Sequence, residues 1–597
     1  MCFHPSASEV VLYNPGRKGY LYFQQPETVL STGRLEDIPA ILHEVEQQVN
    51  RRGRFAAGFL SYEAAPAFDR AFRVRTPSDS NFPLVWFGIY AQPEFLSPQI
   101  IQVEENLASG PWRPDIARPD YVRAIQQVKE HIACGETYQV NFTYRLHAPF
   151  TQSAWSFFAA LAGAHTAPYA AFLETEDWAV ASISPELFFT LDGETLTSRP
   201  MKGTAPRGLM LEDDEGLADW LYHSEKNRAE NVMIVDMVRN DMGRIARIGS
   251  VRVPHLFQVE KYPTVWQMTS TVQAETNASF FEILQALFPA ASITGAPKIR
   301  TMQIIAALES SPRRVYTGAF GYFAPGRLAQ FNVAIRTLLV DKSCQQAEYG
   351  VGGGIVWDSS PTEEWDETIT KSRILYERPQ PFELLETMRW TPEDGWFLLD
   401  EHLDRLARSA EYFAYPLDLP ALCVKLTCLV DCFQDVPHRV RLRLAANGQV
   451  HLEHQTLDLE AKPARIGIAK TPIDSSDRFL YHKTTRRDAY HQALADCPGY
   501  EDVLLWNARR EATESCIANL VVDLKGRLYT PPVESGLLTG TYRAWLLEQG
   551  KVKERRISLD ELEKCSQIYL ANSVRDMWKV EISYIPVSNS LSMGDGT

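Results

Sequence analysis

Three short segments concentrate side chains that could do chemistry. In Ser198-Arg199-Pro200-Met201-Lys202-Gly203-Thr204-Ala205-Pro206-Arg207 a lysine amine precedes Gly-Thr, and an amine held in a loop can serve as a nucleophile. In Ser360-Pro361-Thr362-Glu363 the pattern is a capping box with proline at the first helical position, so Glu363 is expected to cap. Glu364 and Glu367, three apart, share another face of that helix. Two such carboxylates can hold a hard cation, although an exposed acidic face has the same pattern. Tyr481-His482-Lys483-Thr484-Thr485-Arg486 holds a second lysine, and a lone lysine is ordinarily a surface residue.

Regular elements must position these groups. Tyr121, Ile125, Val128 and Ile132 recur at helical spacing behind Asp120, read as the N-cap, and Gly135 ends that helix. The period then switches to two: Tyr138, Val140, Phe142, Tyr144 and Leu146 alternate with Gln139, Asn141, Thr143 and Arg145, as in a strand with one wet face. Ser224 to Asp241 reads as a helix with Val232, Val235 and Val238 along one side.

The 597 residues argue for at least two domains. The best boundary is Glu377-Arg378-Pro379-Gln380-Pro381, giving domains 1–378 and 381–597, with a weaker break from Pro111 to Pro119 and a frayed tail from Ser588 to Thr597. A net charge of −15 disfavours nucleic-acid and polybasic membrane roles, and an anionic substrate would need local cations or a metal. No apolar run suits a membrane helix and no secretory signal is evident, so a cytoplasmic protein is expected. The nine scattered cysteines fit free thiols; Cys423, Cys428 and Cys432 match no zinc spacing.

Ordered segments of the first part resemble the chorismate-utilising enzymes. They are Gly135-Glu136-Thr137-Tyr138-Gln139-Val140-Asn141, Ser184-Pro185-Glu186-Leu187-Phe188, the Lys202 loop, Glu230-Asn231 through Arg239-Asn240-Asp241, Thr294-Gly295-Ala296-Pro297-Lys298, and Gly352-Gly353-Gly354-Ile355. The resemblance implies an α+β fold with a large antiparallel β-sandwich core and helices. It implies chorismate as substrate and Mg²⁺ held by Glu230 and Glu367, with Glu364 contributing. Arg336 and Tyr316 would hold the enolpyruvyl carboxylate, while Gly203, Thr204 and Gly352 to Gly354 would offer backbone N–H groups. Glu186 would be the general acid for the departing C4 hydroxyl. A lysine before Gly-Thr marks the C4-aminating branch, where anthranilate synthases usually carry alanine. Lys202 would attack C2 as a neutral amine, and ammonia would then add at C4 and expel it, giving 4-amino-4-deoxychorismate. Gln139 stands where water-adding relatives carry a lysine base, so water addition is disfavoured. Gln267 replaces a common histidine and cannot relay a proton as imidazole does. No cysteine lies in a Gly-x-Cys-x-Gly turn, so ammonia is expected from a separate glutamine amidotransferase subunit.

The second part is similar to fold-type IV pyridoxal-phosphate enzymes. The similarity rests on Glu401-His402-Leu403-Asp404-Arg405-Leu406, the Lys483 segment, Glu511-Ala512-Thr513-Glu514 through Asn519-Leu520, and Gly536-Leu537-Leu538-Thr539-Gly540-Thr541-Tyr542-Arg543. It implies that Lys483 carries pyridoxal 5′-phosphate, that Glu514 keeps the pyridine nitrogen protonated, and that Arg405 with the N–H groups of Thr541 and Tyr542 holds the phosphate. A homodimer through this domain is possible. The lyase version would release pyruvate and leave 4-aminobenzoate, a folate precursor, making the two parts consecutive enzymes. An aminotransferase, a catalytically silent second part, and an anthranilate synthase are the alternatives.

Overall fold

The computed structural model describes residues 3–76, 82–98, 110–164, 167–376 and 380–583. Glu377 to Pro379 of the expected boundary and the expected frayed tail lie outside them. The chain forms two compact units. One comprises residues 1–206 and 218–379, the other residues 207–217 and 380–597.

In the first unit the described residues form two ten-stranded antiparallel sheets. One has Gln139–Pro149 paired along its length with Gln346–Ile355, which sets Gly352 opposite Thr143 and Gly354 opposite Asn141. The other carries Met201–Pro206 at one edge, against Val265–Glu275. Apolar side chains from both sheets, including Leu12, Phe23, Phe59, Trp86, Trp178 and Leu339, form a sandwich core. Helices cover the outer faces. Ile38–Arg52 and Phe280–Leu287 cover one, and Arg118–Ala133 the other.

Several local expectations are corrected. The helix at Arg118–Ala133 begins on Ala117 rather than Asp120, since Pro119 fits a first turn; Gly135 does take the left-handed conformation just past its end, φ 72°. The helix Glu225–Gly243 is capped by Ser224, whose hydroxyl accepts from Asn227 N–H. Val235 and Val238 are buried, but Val232 is exposed, because steps of three drift around a 3.6-residue helix. Ser360 makes no side-chain cap, so Glu363 is not part of a capping box; the neighbouring Ser359 hydroxyl donates to Glu364 instead, at 2.6 Å.

The polar face of Gln139–Pro149 is not wet. Gln139, Thr143 and Arg145 are as buried as Val140 and Phe142. Thr143 donates from N–H and hydroxyl to Glu309 (2.9 and 2.8 Å), which also pairs with Arg313 at 2.6 Å and Arg145 at 3.5 Å. Two buried guanidiniums thus share one carboxylate. Glu309→Gln is expected to lower stability by about 3–5 kcal/mol, the usual loss when one partner of a buried ion pair is removed, read as a lower urea midpoint by tryptophan fluorescence.

The second unit joins a four-stranded antiparallel sheet to an eight-stranded mixed sheet. An extra pairing of Glu514 with Asn519 links Ala512–Ser515 to Asn519–Leu524 and curls the larger sheet towards a barrel. The segment 207–217 belongs to this unit. Arg207 grips both Asp214 oxygens at 2.7 Å and lies 4.5 Å over the Tyr412 ring, whose hydroxyl donates to Gly208 O at 2.6 Å. Among the described residues no helix is long and apolar enough to cross a membrane.

Candidate active sites

Lys202 and Gly203 sit in a bulge. Met201 pairs with Thr269 and Thr204 with Gln267, so the Lys202 strand has one extra residue there. Gly203 has φ 101°, a conformation that favours glycine. The bulge is pinned from two sides. Asn231 donates to Lys202 O at 3.1 Å; Gln267 donates to Gly203 O at 2.8 Å and accepts from the Thr204 hydroxyl at 3.0 Å. Gln267 therefore acts on the loop's shape, a role that needs no imidazole.

The Lys202 amine points over the glycine strand. A β-carbon at Gly354 would lie 2.7 Å from both Lys202 Nζ and Gln139 Nε2, so any larger residue there would collide with both. Gln139 is fully buried and neither side-chain oxygen nor nitrogen has a hydrogen-bond partner. Buried amides are ordinarily satisfied, so an amide without partners among the described residues, beside an amine, has hydrogen-bonding capacity to offer a bound molecule.

The three carboxylates expected to hold Mg²⁺ border the same amine but are spread. Glu230 pairs with Lys202 at 3.2 Å, Glu367 with Lys371 at 2.8 Å, and Glu364 with Ser359. Among the described residues no three acidic, histidine or cysteine side chains converge as a ready metal cage. Burial pushes Glu364 up. Burial also opposes ionisation of Glu367, but Lys371 outweighs it and holds that carboxyl below its usual range. The donor chemistry, all hard oxygen, suits Mg²⁺, which is typically held by one or two carboxylates with substrate oxygens and waters.

Glu186 is 4% exposed, and burial pushes its carboxyl up to about 7 against the opposing hydrogen bond from the Ser292 hydroxyl, 2.6 Å away. A carboxyl with that value keeps its proton below pH 7, as a general acid must. Glu186→Gln is expected to slow turnover about 10²–10⁴-fold and to remove the decline above pH 7, once rates are expressed per free ammonia. Tyr316 is buried against Gly350 with Arg145 5.1 Å over its ring. Arg336, at φ 50°, lies within electrostatic reach of Tyr349 and Tyr262.

The second unit has a cavity of about 290 Å³ lined by Arg405, Lys483, Glu514, Thr541 and Tyr542, all five expected cofactor contacts. Burial, with Arg405 beside it, brings the Lys483 amine down to about 8. Burial pushes Glu514 up to about 7 although Tyr490 (2.8 Å), Asn519 (3.0 Å) and Leu538 N–H (3.1 Å) all donate to it. Thr541 and Tyr542 open the helix Thr541–Glu548, whose first N–H groups are free for an anion. An amine, a carboxyl and an anion cradle around one cavity fit pyridoxal 5′-phosphate.

Other residues of these sites carried no sequence signal strong enough to assign them. Ser292 and Asn231 lie in matched segments or near them, but their partners are distant in sequence. Glu386 grips Arg405 through both oxygens, at 2.8 and 2.6 Å. Arg439 and Arg441 line the cavity with Arg487 and Arg575; the alternation in His438-Arg439-Val440-Arg441 places the first two on one face of a strand, a signal that could have been read.

The chorismate binding enzyme model matches residues 8–377, and the amino-transferase class IV model matches residues 383–582. The chain is 40% identical over 301 residues to aminodeoxychorismate synthase component 1 of Escherichia coli, covering 50% of this chain and 64% of that protein. It is 41% identical over 348 residues to the Klebsiella aerogenes component 1, covering 54% and 76%, and 43% identical over 270 residues to aminodeoxychorismate synthase of Streptomyces griseus, covering 45% and 37%. The match thus spans a little over a third to about three quarters of these relatives. Anthranilate synthase component I from Streptococcus pneumoniae shares the fold of the first unit, with a TM-score of 0.52 at 23% identity over 62% of this chain and 93% of that one. On its first-unit fold, its matched residues and these likenesses, the chain belongs to the chorismate binding enzyme family and carries an amino-transferase class IV domain behind it.

Proposed function

We propose that the first unit aminates chorismate at C4 and that the second removes pyruvate from the product to give 4-aminobenzoate for folate synthesis. The observation that carries this reading is that Lys202 Nζ and the unsatisfied Gln139 amide both lie over Gly354, each 2.7 Å from where a β-carbon there would sit. A nucleophile is present, and the neighbour that would otherwise be a base for water is an amide. Lys202 attacks C2 through its amine nitrogen, which gives up a proton as the C–N bond forms, while Glu186 protonates the departing C4 oxygen. Ammonia then forms the C4–N bond and Lys202 leaves, so water is the only group lost. Glu230, Glu367 and Glu364 are the residues that would hold Mg²⁺, which supplies positive charge for the ring carboxylate. The names of the component 1 relatives support a separate glutaminase partner as the ammonia source.

In the second unit Lys483 would be the attachment point and proton carrier, Glu514 would keep the ring nitrogen protonated, and Arg405 with the Thr541 and Tyr542 N–H groups would hold the phosphate. When bound, pyridoxal 5′-phosphate supplies an electron sink for the substrate's amine-bearing carbon. The four arginines that line the cavity besides Arg405 favour a substrate with two carboxylates, which fits the product of the first unit. The test is to give the protein chorismate, Mg²⁺ and ammonium, with and without pyridoxal 5′-phosphate. 4-Aminobenzoate plus pyruvate supports the reading. Anthranilate sinks the role given to Lys202, and aminodeoxychorismate that persists with cofactor bound sinks the lyase.

A further inference from the structure

His402 lies behind the phosphate end of the second unit's cavity and has no role in the chemistry above. It is buried, and Glu386 accepts from its Nδ1 at 2.7 Å. Its Nε2 is 2.9 Å from the Ser573 hydroxyl and 3.4 Å from the Thr541 hydroxyl. Both hydroxyls belong to residues that line the cavity, and both residues are more than nine-tenths buried. The proton inventory of this row is restricted. Glu386 is ionised, held at about 2 against burial by Arg405 and His402, so Nδ1 must donate to it. With one ring proton spent there, Nε2 of a neutral ring can only accept. A hydroxyl that donates to Nε2 then presents lone pairs, not a proton, to the cavity.

That orientation is wrong for a phosphate dianion, which accepts hydrogen bonds only. Turning the hydroxyl proton to the phosphate leaves its oxygen facing Nε2, and the contact is favourable only if Nε2 carries a proton. We propose that His402 takes up a proton when a phosphate ester enters this cavity, and that the resulting imidazolium holds the Ser573 and Thr541 hydroxyls with their protons towards the phosphate. The inference rests on the pyridoxal-phosphate reading of the site. The charges facing His402 fit the exchange. Glu386 on the strand Leu384–Thr391 favours the imidazolium, while Arg405 on His402's own helix and Lys483 oppose it. Burial keeps the ring below its usual value, and an arriving dianion reverses that balance. No bond to carbon changes; one proton moves from solvent to Nε2.

The test uses the full chain and pyridoxine 5′-phosphate, which has the ring and phosphate but no aldehyde, so Lys483 stays unmodified. Calorimetry at pH 7.5 in buffers of different ionisation enthalpy counts protons taken up on binding. The wild type is expected to take up about one proton more than His402→Gln. A His402 ring-carbon NMR signal that moves from the neutral to the imidazolium position on adding the ligand to wild type gives the same answer without a variant. Binding with equal proton counts, or with an unmoved signal, overturns the proposal and leaves the cofactor site standing. Absence of binding to wild type overturns the cofactor reading itself, and the proposal with it.

Discussion

Lys202→Ala is expected to reduce amination of chorismate by on the order of 10³-fold or more, the scale on which enzymes lose rate when a covalent nucleophile is removed. Three described neighbours are poorly suited to substitute. Gln139 is an amide, Glu186 is engaged by Ser292, and Lys371 is committed to Glu367 and to Gly352 O at 2.9 Å. Mass spectrometry of the intact chain with chorismate and without ammonia supplies the direct readout. Wild type should gain the mass of chorismate less water, and the variant should gain nothing. An adduct that survives in the variant would place the nucleophile elsewhere.

Lys483→Ala is expected to abolish covalent retention of pyridoxal 5′-phosphate and to cut pyruvate release by a comparable factor, while chorismate consumption continues and aminodeoxychorismate accumulates. Loading of the wild type should also depend on pH with a defined sign. Burial beside Arg405 leaves Lys483 at about 8, so the amine is mainly protonated at pH 6 and mainly neutral at pH 9. The rate at which the visible absorption band appears should rise through that window and level off. A rate that is flat from pH 6 to 9, or a band retained by the variant, would assign the attachment to another residue.

The sequence conveyed periodicity well and surroundings poorly. Gln139–Pro149 is a strand because its apolar residues alternate, yet its polar face reads as wet and is buried. What buries it comes from far along the chain: Glu309 reaches Thr143 and Arg145 across more than 160 residues. The lysines and glutamates proposed for the two sites were legible because each sits in a short ordered motif. Their supports were not. Asn231, Ser292 and Gln267 are ordinary polar residues in sequence, and only folding makes the first and last of them the two pins of one bulge. Glu386 was visible beside the start of the second domain but silent, since nothing local ties it to Arg405.

The segment 207–217 has a consequence for how such a chain could arise and persist. Its Leu209 and Met210 pack on the apolar core of the second unit, and Leu209 O meets the imidazole of His482, the residue before Lys483. The second unit as folded is therefore not one uninterrupted stretch of chain, since residues 207–217 belong to it. A gene cut near codon 380 would remove part of a hydrophobic core rather than a linker, and the upstream fragment would keep a strip with nothing to fold against. In a chain built this way, separating the two units is expected to cost the second one part of its packing, so the two are tied by more than a linker.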